Sequence, residues 1–103
     1  MSPRPKKNRR LSPLIKEVIY QPRGRKFEKL TISNVAGDEL EAMRLCDFRE
    51  LEQAQAGRNM GISRPTVQRL LYSGRKKIVE ALLKGKAIQV TFPSYISFKI
   101  KEG

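Results

Sequence analysis

Residues 51–71 have the spacing of two short helices joined by a tight turn. Gly57 is the small residue that a close helix crossing needs, and Gly61 can adopt the left-handed conformation that ends a helix. Ser63 is a good N-cap for the second helix, because its hydroxyl can accept a free backbone N–H, and Pro65 in the first turn loses no hydrogen bond. The spacing therefore predicts a helix-turn-helix.

The second helix of this motif continues past the turn as an amphipathic helix. Its apolar residues recur with a period of 3.6 and predict one continuous inner face, formed by Val67, Leu70, Leu71, Gly74, Ile78, Ala81 and Leu82. The opposite face carries side chains that can reach base edges and phosphates, namely Arg64, Thr66, Gln68, Arg69, Tyr72, Ser73, Arg75 and Lys76. Any amphipathic helix pair with a glycine between its members would resemble the short motif, so this longer pattern is what favours DNA.

The chain has 103 residues and a formal net charge of +12, which predicts one domain with an acidic partner such as a nucleic acid. The charge is unevenly placed. Residues 1–29 contribute +8, residues 30–63 contribute −3, and residues 64–103 contribute +7. We expect the acids of the middle segment to cap helices and to form a solvated face.

Several function classes conflict with the composition. The chain has no histidine and a single cysteine, so it lacks the Ser-His and Cys-His dyads of nucleophilic catalysis, an internal disulfide and the usual zinc ligands. We expect no enzyme, no cofactor and no metal. No apolar run has the length of a membrane span, and the first residues lack a hydrophobic signal core, which predicts a cytoplasmic protein with no membrane partner.

The first 13 residues are predicted to form a flexible basic arm, because they hold two prolines near the start and too little apolar surface to fold alone. Such an arm can lie along phosphates or enter a minor groove. A solubilising tail or a nuclear localisation cluster would have the same composition. The arm's charges are Arg4, Lys6, Lys7, Arg9 and Arg10.

Residues 14–87 are predicted to form the helix-turn-helix domain. Short extended segments come first, and helices follow over about 38–47, 52–60 and 64–83. Asp38 is expected to cap the first helix, with Glu41 completing a capping box. The predicted fold is mainly α, with a three-helix core, short N-terminal extended segments and a C-terminal β-hairpin or strand.

Residues 88–103 are predicted to form a β-like tail, because the apolar period changes from 3.6 to 2. An exposed strand of this kind must be covered. We expect two tails to pair in a homodimer; the alternative is that the tail folds onto the chain's own strands near Val18 and Ile32. The alternating apolar residues are Ile88, Val90, Phe92, Ile96, Phe98 and Ile100.

Several runs, taken together, resemble an uncharacterised family of small prokaryotic predicted DNA-binding proteins. They are Tyr20-Gln21-Pro22-Arg23-Gly24, Asp38-Glu39-Leu40-Glu41-Ala42-Met43-Arg44-Leu45, Met60-Gly61-Ile62-Ser63-Arg64 and Arg75-Lys76-Lys77. The helix-turn-helix of that family is similar to sigma-factor region 4. The resemblance covers roughly residues 2–88 and implies that fold and a DNA partner, but no physiological role.

The leading hypothesis is sequence-specific binding of double-stranded DNA by a nucleoid-associated transcription regulator, with the second motif helix in the major groove. Arg64, Gln68 and Arg69 are the predicted base contacts, since arginine can bind guanine and glutamine can bind adenine in a bidentate way. The predicted phosphate contacts are Gln53, Ser63, Thr66, Tyr72, Arg75 and Lys76. A protein-interaction module that docks on the transcription machinery and an RNA-binding protein are the alternatives. The sequence identifies no small-molecule effector.

Overall fold

Three helices and a small three-stranded sheet make up most of the structure, a computed structural model that describes residues 9–92 and 96–98. A 3-10 turn at Phe27–Lys29 precedes the third strand, and a π-helical turn at Arg44–Phe48 continues the first helix. The elements in chain order are β1 (Arg9–Leu11), β2 (Ile19–Tyr20), β3 (Ile32–Ala36), α1 (Gly37–Met43), α2 (Gln53–Met60), α3 (Arg64–Lys84), β4 (Ala87–Thr91) and β5 (Ile96–Phe98).

The main sheet has the strand order β2-β4-β3, so β4 is its central strand. β4 runs antiparallel to β2, with Ile88 opposite Tyr20, and parallel to β3, with Val90 opposite Val35. Parallel strands need a long connection, and all three helices lie within it. The fold is therefore mixed α/β, and the prediction of a mainly α fold is corrected.

The helices pack on one another and on this sheet around one principal core. Its buried members come from every helix and from β3, and they include Val35, Ala42, Met43, Leu45, Ala56, Met60, Val67 and Leu71. A smaller cluster contains Leu11, Ile15 and Val90. The predicted inner face of α3 is wrong at Leu82, whose side chain is 74% exposed, although the neighbouring Ala81 is buried.

Helices α2 and α3 occupy Gln53–Met60 and Arg64–Lys84, where the sequence predicts helices over about 52–60 and 64–83. Helix α1 starts earlier than expected, because β3 continues into it without a loop. The backbone N–H of Ala36 donates to Glu39 Oε1 at 2.8 Å, so Glu39 closes the first turn. The predicted capping box of Asp38 and Glu41 is wrong.

The carboxylates of α1 are also more deeply placed than the sequence suggests. Asp38, Glu39 and Glu41 are 0%, 4% and 1% exposed. The expectation of a solvated face is therefore wrong for these three acids, whereas Asp47, Glu50 and Glu52 are exposed as expected. A buried charge is tolerated only when it is paired and hydrogen-bonded, and each of the three buried acids has such partners.

Asp38 and Glu41 connect α1 to the chain's first described residues. Arg9 in β1 forms an ion pair with Asp38. The backbone N–H of Ser12 donates to Glu41 Oε2 at 2.6 Å, and Arg44 Nε donates to Glu41 Oε1 at 2.5 Å. Both carboxylates therefore hold the N-terminal segment against α1.

Glu39 connects α1 to α3. Lys77 Nζ donates to Glu39 Oε1 at 2.8 Å, and the hydroxyl of Ser73 donates to the other carboxylate oxygen. Both partners lie on the same side of α3, one turn apart. Glu39 therefore fixes the rotation of α3 as well as its distance from α1.

The predicted arm is shorter than 13 residues. Arg9–Leu11 forms β1, and the side chain of Leu11 is fully buried, because it packs in the smaller core cluster. The predicted arm residues Arg4, Lys6 and Lys7 lie outside the described residues.

The described part of the tail folds onto its own chain. β4 is paired on both sides within the main sheet, and β5 pairs in parallel with β1, with Phe98 opposite Leu11. Both edges of β4 are thus covered within one chain, and β5 is paired along one edge, while Ile100 lies outside the described residues. Truncation after Lys86 would remove the central strand of the main sheet.

Among the described residues, no helix is both long and apolar enough to cross a membrane.

We predict that Glu41→Ala lowers the free energy of unfolding by about 3 kcal/mol, because it leaves the Arg44 guanidinium and the Ser12 N–H without their buried acceptor. Urea denaturation followed by circular dichroism measures the change. Glu17→Ala is the matched control, since Glu17 is exposed and its replacement should change stability by less than about 0.5 kcal/mol. Equal effects of the two substitutions would show that the buried carboxylate contributes nothing specific.

Candidate nucleic-acid interface

Helices α2 and α3 are joined by a three-residue turn. Its geometry depends on Gly61 in the turn and on Gly57 in α2. Gly61 has φ +72°, and its N–H donates to the carbonyl of Gly57, which ends α2. Gly57 is itself buried, and a Cβ there would lie 2.7 Å from the carbonyl oxygen of Ile62. The two helices can therefore be joined this closely only with glycine, or with a local shift, at Gly57.

Hydroxyl groups and a guanidinium meet at the start of α3. Ser63 Oγ accepts the N–H of Thr66 at 3.4 Å and lies 2.9 Å from Thr66 Oγ1. Arg69 Nη2 donates to Thr66 Oγ1 at 3.3 Å. Three predicted contact residues thus form one exposed hydrogen-bonded group, which holds the Arg69 side chain near the first turn.

The predicted base contacts lie on the exposed side of the first two turns of α3. Arg64, Gln68 and Arg69 are all exposed, whereas Val67 and Leu71 are buried in the core. Residues 64 and 68 lie one turn apart and residue 69 follows about 100° further round the helix. The structure therefore brings the three side chains onto one continuous surface.

The remaining predicted phosphate contacts are spread along this surface. Gln53 is the first residue of α2, and its Oε1 atom is buried without a hydrogen-bond partner among the described residues. Tyr72 is 71% exposed, and Lys76 is exposed. These positions extend the surface towards the middle of α3.

Arg75 has a structural partner that the sequence did not indicate. Its Nε and Nη2 atoms donate to the two carboxylate oxygens of Asp47 at 3.1 and 2.5 Å. The hydrogen bond to Asp47 raises the pKa of Arg75. The pair ties the π-helical turn to α3, so Arg75 is less available to a phosphate than the other predicted contacts.

The side chains of the two arginines in β1 contact different parts of the fold. Arg9 is directed to Asp38, whereas Arg10 Nη2 donates to the backbone carbonyl of Arg58 at 3.3 Å, close to Gly61. Arg10 thus joins the surface at the turn. Arg58 was missed as a candidate; its position in the exposed last turn of α2 was the available signal.

The surface is basic because the segment that forms most of it contains cations and no acids. The exposed Glu52 lies at its edge, beside Arg64. Residues 53–79 contain six lysine or arginine residues and no aspartate or glutamate. Lys77 and Arg75 bind Glu39 and Asp47. The other four, all exposed, are Arg58, Arg64, Arg69 and Lys76.

In the described part of the chain, no group of three or more His, Cys, Asp or Glu residues is arranged to hold a metal ion.

The chain belongs to the family described as protein of unknown function DUF134, whose model matches residues 1–97. A UPF0251 protein of Dehalococcoides mccartyi is 50% identical over 88 residues, which are 85% of this chain and 75% of the relative. A UPF0251 protein of Methanocella arvoryzae is 42% identical over 92 residues, which are 89% of this chain and 55% of the relative. No solved structure matches the chain. The resemblance to a family of small prokaryotic proteins is confirmed; the relatives' names state no activity, so DNA binding stays a prediction.

We predict that Gly61→Ala lowers the free energy of unfolding by about 1–2 kcal/mol, because the Cβ of an L-residue is strained at positive φ. Gly61→Asn should cost less, since asparagine tolerates the left-handed conformation better than alanine. Thermal and urea denaturation of both variants provide the measurement. A Gly61→Ala protein as stable as the parent would mean that the turn does not require this conformation.

Proposed function

We propose that this member of the DUF134 family is a transcription regulator that binds double-stranded DNA sequence-specifically through a helix-turn-helix formed by α2 and α3. The observation that carries the proposal is the exposed group of Arg64, Gln68 and Arg69 on the first two turns of α3. A helix of this kind fits the major groove, and its N-terminal turns are the part that reaches base edges in helix-turn-helix proteins.

The packing of α3 supports this role, because base recognition requires a rigid helix. Val67 and Leu71 anchor the first half of α3 in the core, while Ser73 and Lys77 bind Glu39 further along the same helix. These contacts prevent α3 from rotating about its axis, so its exposed face keeps one orientation. Side chains on a fixed helix face can be placed against particular base pairs with little ordering on binding.

Each proposed base contact has a preferred partner. Arg64 and Arg69 can each donate two hydrogen bonds to O6 and N7 of guanine, and Gln68 can bind N6 and N7 of adenine. Each good bidentate pair contributes on the order of 1–3 kcal/mol of discrimination. Three such side chains within six residues of α3 would suffice to select a short sequence.

The surrounding groups are proposed to bind phosphate and to set the position of the helix. Ser63 and Thr66 lie at the N-terminus of α3, where backbone N–H groups and the helix dipole favour an anion. Lys76 and Arg58 extend the positive surface on both sides of α3's first turns, and Arg10 adds a cation at the turn. Phosphate contacts of this kind provide affinity that does not depend on sequence.

Selection of bound duplexes from a random pool tests the function as a whole. Recovery of one preferred sequence supports the proposal, and the symmetry of that sequence reports whether one or two copies bind. A competition in rising salt then separates the alternatives. Preference for single-stranded RNA, or shallow affinity without any preferred sequence, would contradict the proposal.

We predict that Arg69→Ala weakens binding to the preferred duplex by about 1–3 kcal/mol more than binding to random DNA, because it removes a base contact. Lys76→Ala is the matched control, since removing a phosphate-binding cation should weaken both complexes by the same factor. Fluorescence anisotropy at fixed salt measures the four affinities. If Arg69→Ala also weakens both complexes equally, Arg69 is not a base contact.

A further prediction concerns the charges that precede β1. Deletion of residues 2–8 removes Arg4, Lys6 and Lys7 but leaves Arg9 and Arg10, which belong to the fold. The slope of log K against log salt should become shallower by up to about 2.7, or about 0.9 for each phosphate that the protein no longer neutralises. Replacing the three cations by serine in the full chain should have the same effect. An unchanged slope in both proteins would show that these charges do not contact DNA.

A further inference from the structure

A stripe of large side chains follows the exposed face of the second half of α3. Tyr72, Val79 and Leu83 are 71%, 53% and 82% exposed. Together with Lys76 they recur at intervals of four, three and four residues. This is the spacing by which one helix presents a seam to another helix. We call Tyr72, Lys76, Val79 and Leu83 the α3 stripe.

The stripe lines a surface groove of about 700 Å³. The groove also contacts Gln53 and Gln68 at one end and Lys84 at the other, so it follows the long axis of α3. Gln53 contributes a buried Oε1 atom without a hydrogen-bond partner among the described residues.

The stripe is not needed by the core of the described fold. The buried residues Val67, Gly74 and Ala81 lie on the other side of α3, whereas the buried Leu71 borders the groove. Single exposed apolar residues are normal on a protein surface, but an aligned set with an adjoining groove is typical of an interaction site. The stripe is therefore a surface for a partner.

The charges around the groove identify the kind of partner. Lys76 lies within the stripe, and Arg75 and Lys84 lie beside it. The one acid of α3, Glu80, also lines the groove, and its carboxylate accepts from Lys86 Nζ at 2.5 Å, which leaves Lys84 Nζ, 3.9 Å away, outside hydrogen-bond distance. Antiparallel pairing of two such stripes would bring their lysines together in a chain of net charge +12. The complementary occupant is acidic.

We propose that the α3 stripe binds an amphipathic helix of a partner protein, whose apolar face is flanked by aspartate and glutamate. The apolar residues of that helix would pack between Tyr72, Val79 and Leu83, and its carboxylates would bind Lys76 and Lys84. Helices that lay an apolar face into a groove are a common mode of peptide recognition.

The α3 stripe shares Tyr72 and Lys76 with the proposed DNA surface, but its other end does not belong to that surface. Leu83 follows Gln68 by 15 residues, so the far end of the stripe lies about 22 Å along α3 from the proposed base contacts. The site can therefore be tested on the full chain without DNA, and its failure would leave the proposed function untouched.

Two labelled, helix-forming synthetic peptides test the proposal by fluorescence anisotropy. Both have leucine at the seam positions; one is flanked by glutamate and the other by lysine. The glutamate peptide should bind the full chain at least about tenfold more tightly, and added salt should reduce the difference. Equal binding of the two peptides, or no binding of the glutamate peptide at several hundred micromolar, would overturn the proposal.

Two neighbouring leucines supply a matched pair of variants. Leu82 and Leu83 are 74% and 82% exposed on the same helix, but only Leu83 lines the groove. Leu83→Ala should weaken binding of the glutamate peptide by about tenfold, whereas Leu82→Ala should change it by less than about twofold. Equal effects would place the peptide elsewhere. If sedimentation shows that the parent chain dimerises and Leu83→Ala abolishes the dimer, a second copy occupies the stripe instead.

Discussion

The structure depends on the neutralisation of three carboxylates that one short helix buries. Asp38, Glu39 and Glu41 lie within four consecutive positions of α1, and each finds its cation on a different element. Removing one partner of such a pair leaves an uncompensated charge, which is far more costly than the pair's own contribution to stability. The three pairs therefore permit only arrangements in which β1, the π-helical turn and α3 all meet α1.

This requirement positions the candidate interface. Glu39 accepts hydrogen bonds from Ser73 and Lys77, which fixes the rotation of α3 about its own axis. Close packing at Gly74, where a Cβ would lie 2.8 Å from Met43 Cε, sets how near α3 approaches α1. With that side of α3 facing α1, the side that carries Arg64 and Gln68 must face outwards. The orientation of the basic surface is thus determined by the contacts of the buried Glu39 with α3.

The sequence predicts α2, the turn and α3 well because the signals there are local. A left-handed glycine, a serine cap and a period of 3.6 all act within a few residues. The sheet has no such signal, since Val35 and Val90 pair across the whole helical region of the chain. Periodicity places Leu82 on the apolar side of α3, but it does not show how far the neighbouring elements cover that side. The exposure of Leu82 could therefore not be predicted from the sequence.

The buried acids were unpredictable for the same reason, since Asp38 and Glu39 find cations that are 29 and 38 residues away in sequence. Without those partners, the sequence favours solvent for every carboxylate. The candidate contacts on α3 could be selected from residue type and face alone, but the capture of Arg75 by Asp47 could not, because 28 residues separate them.

Charge segregation links the interior of this fold to its surface. The acids of α1 are used to neutralise cations inside the fold, and Asp47 and Glu80 are paired with Arg75 and Lys86. The region from α2 to the middle of α3 contributes cations and no acid of its own, and the exposed Glu52 lies at its edge beside Arg64. The same segregation underlies the two binding surfaces that we propose for α3. Its first turns offer forked, hydrogen-bonding groups that match base edges and phosphates, while its last turns combine cations with an apolar seam that matches an acidic helix. A single helix, anchored through one buried glutamate, can thus present two chemically distinct surfaces that overlap at Tyr72 and Lys76.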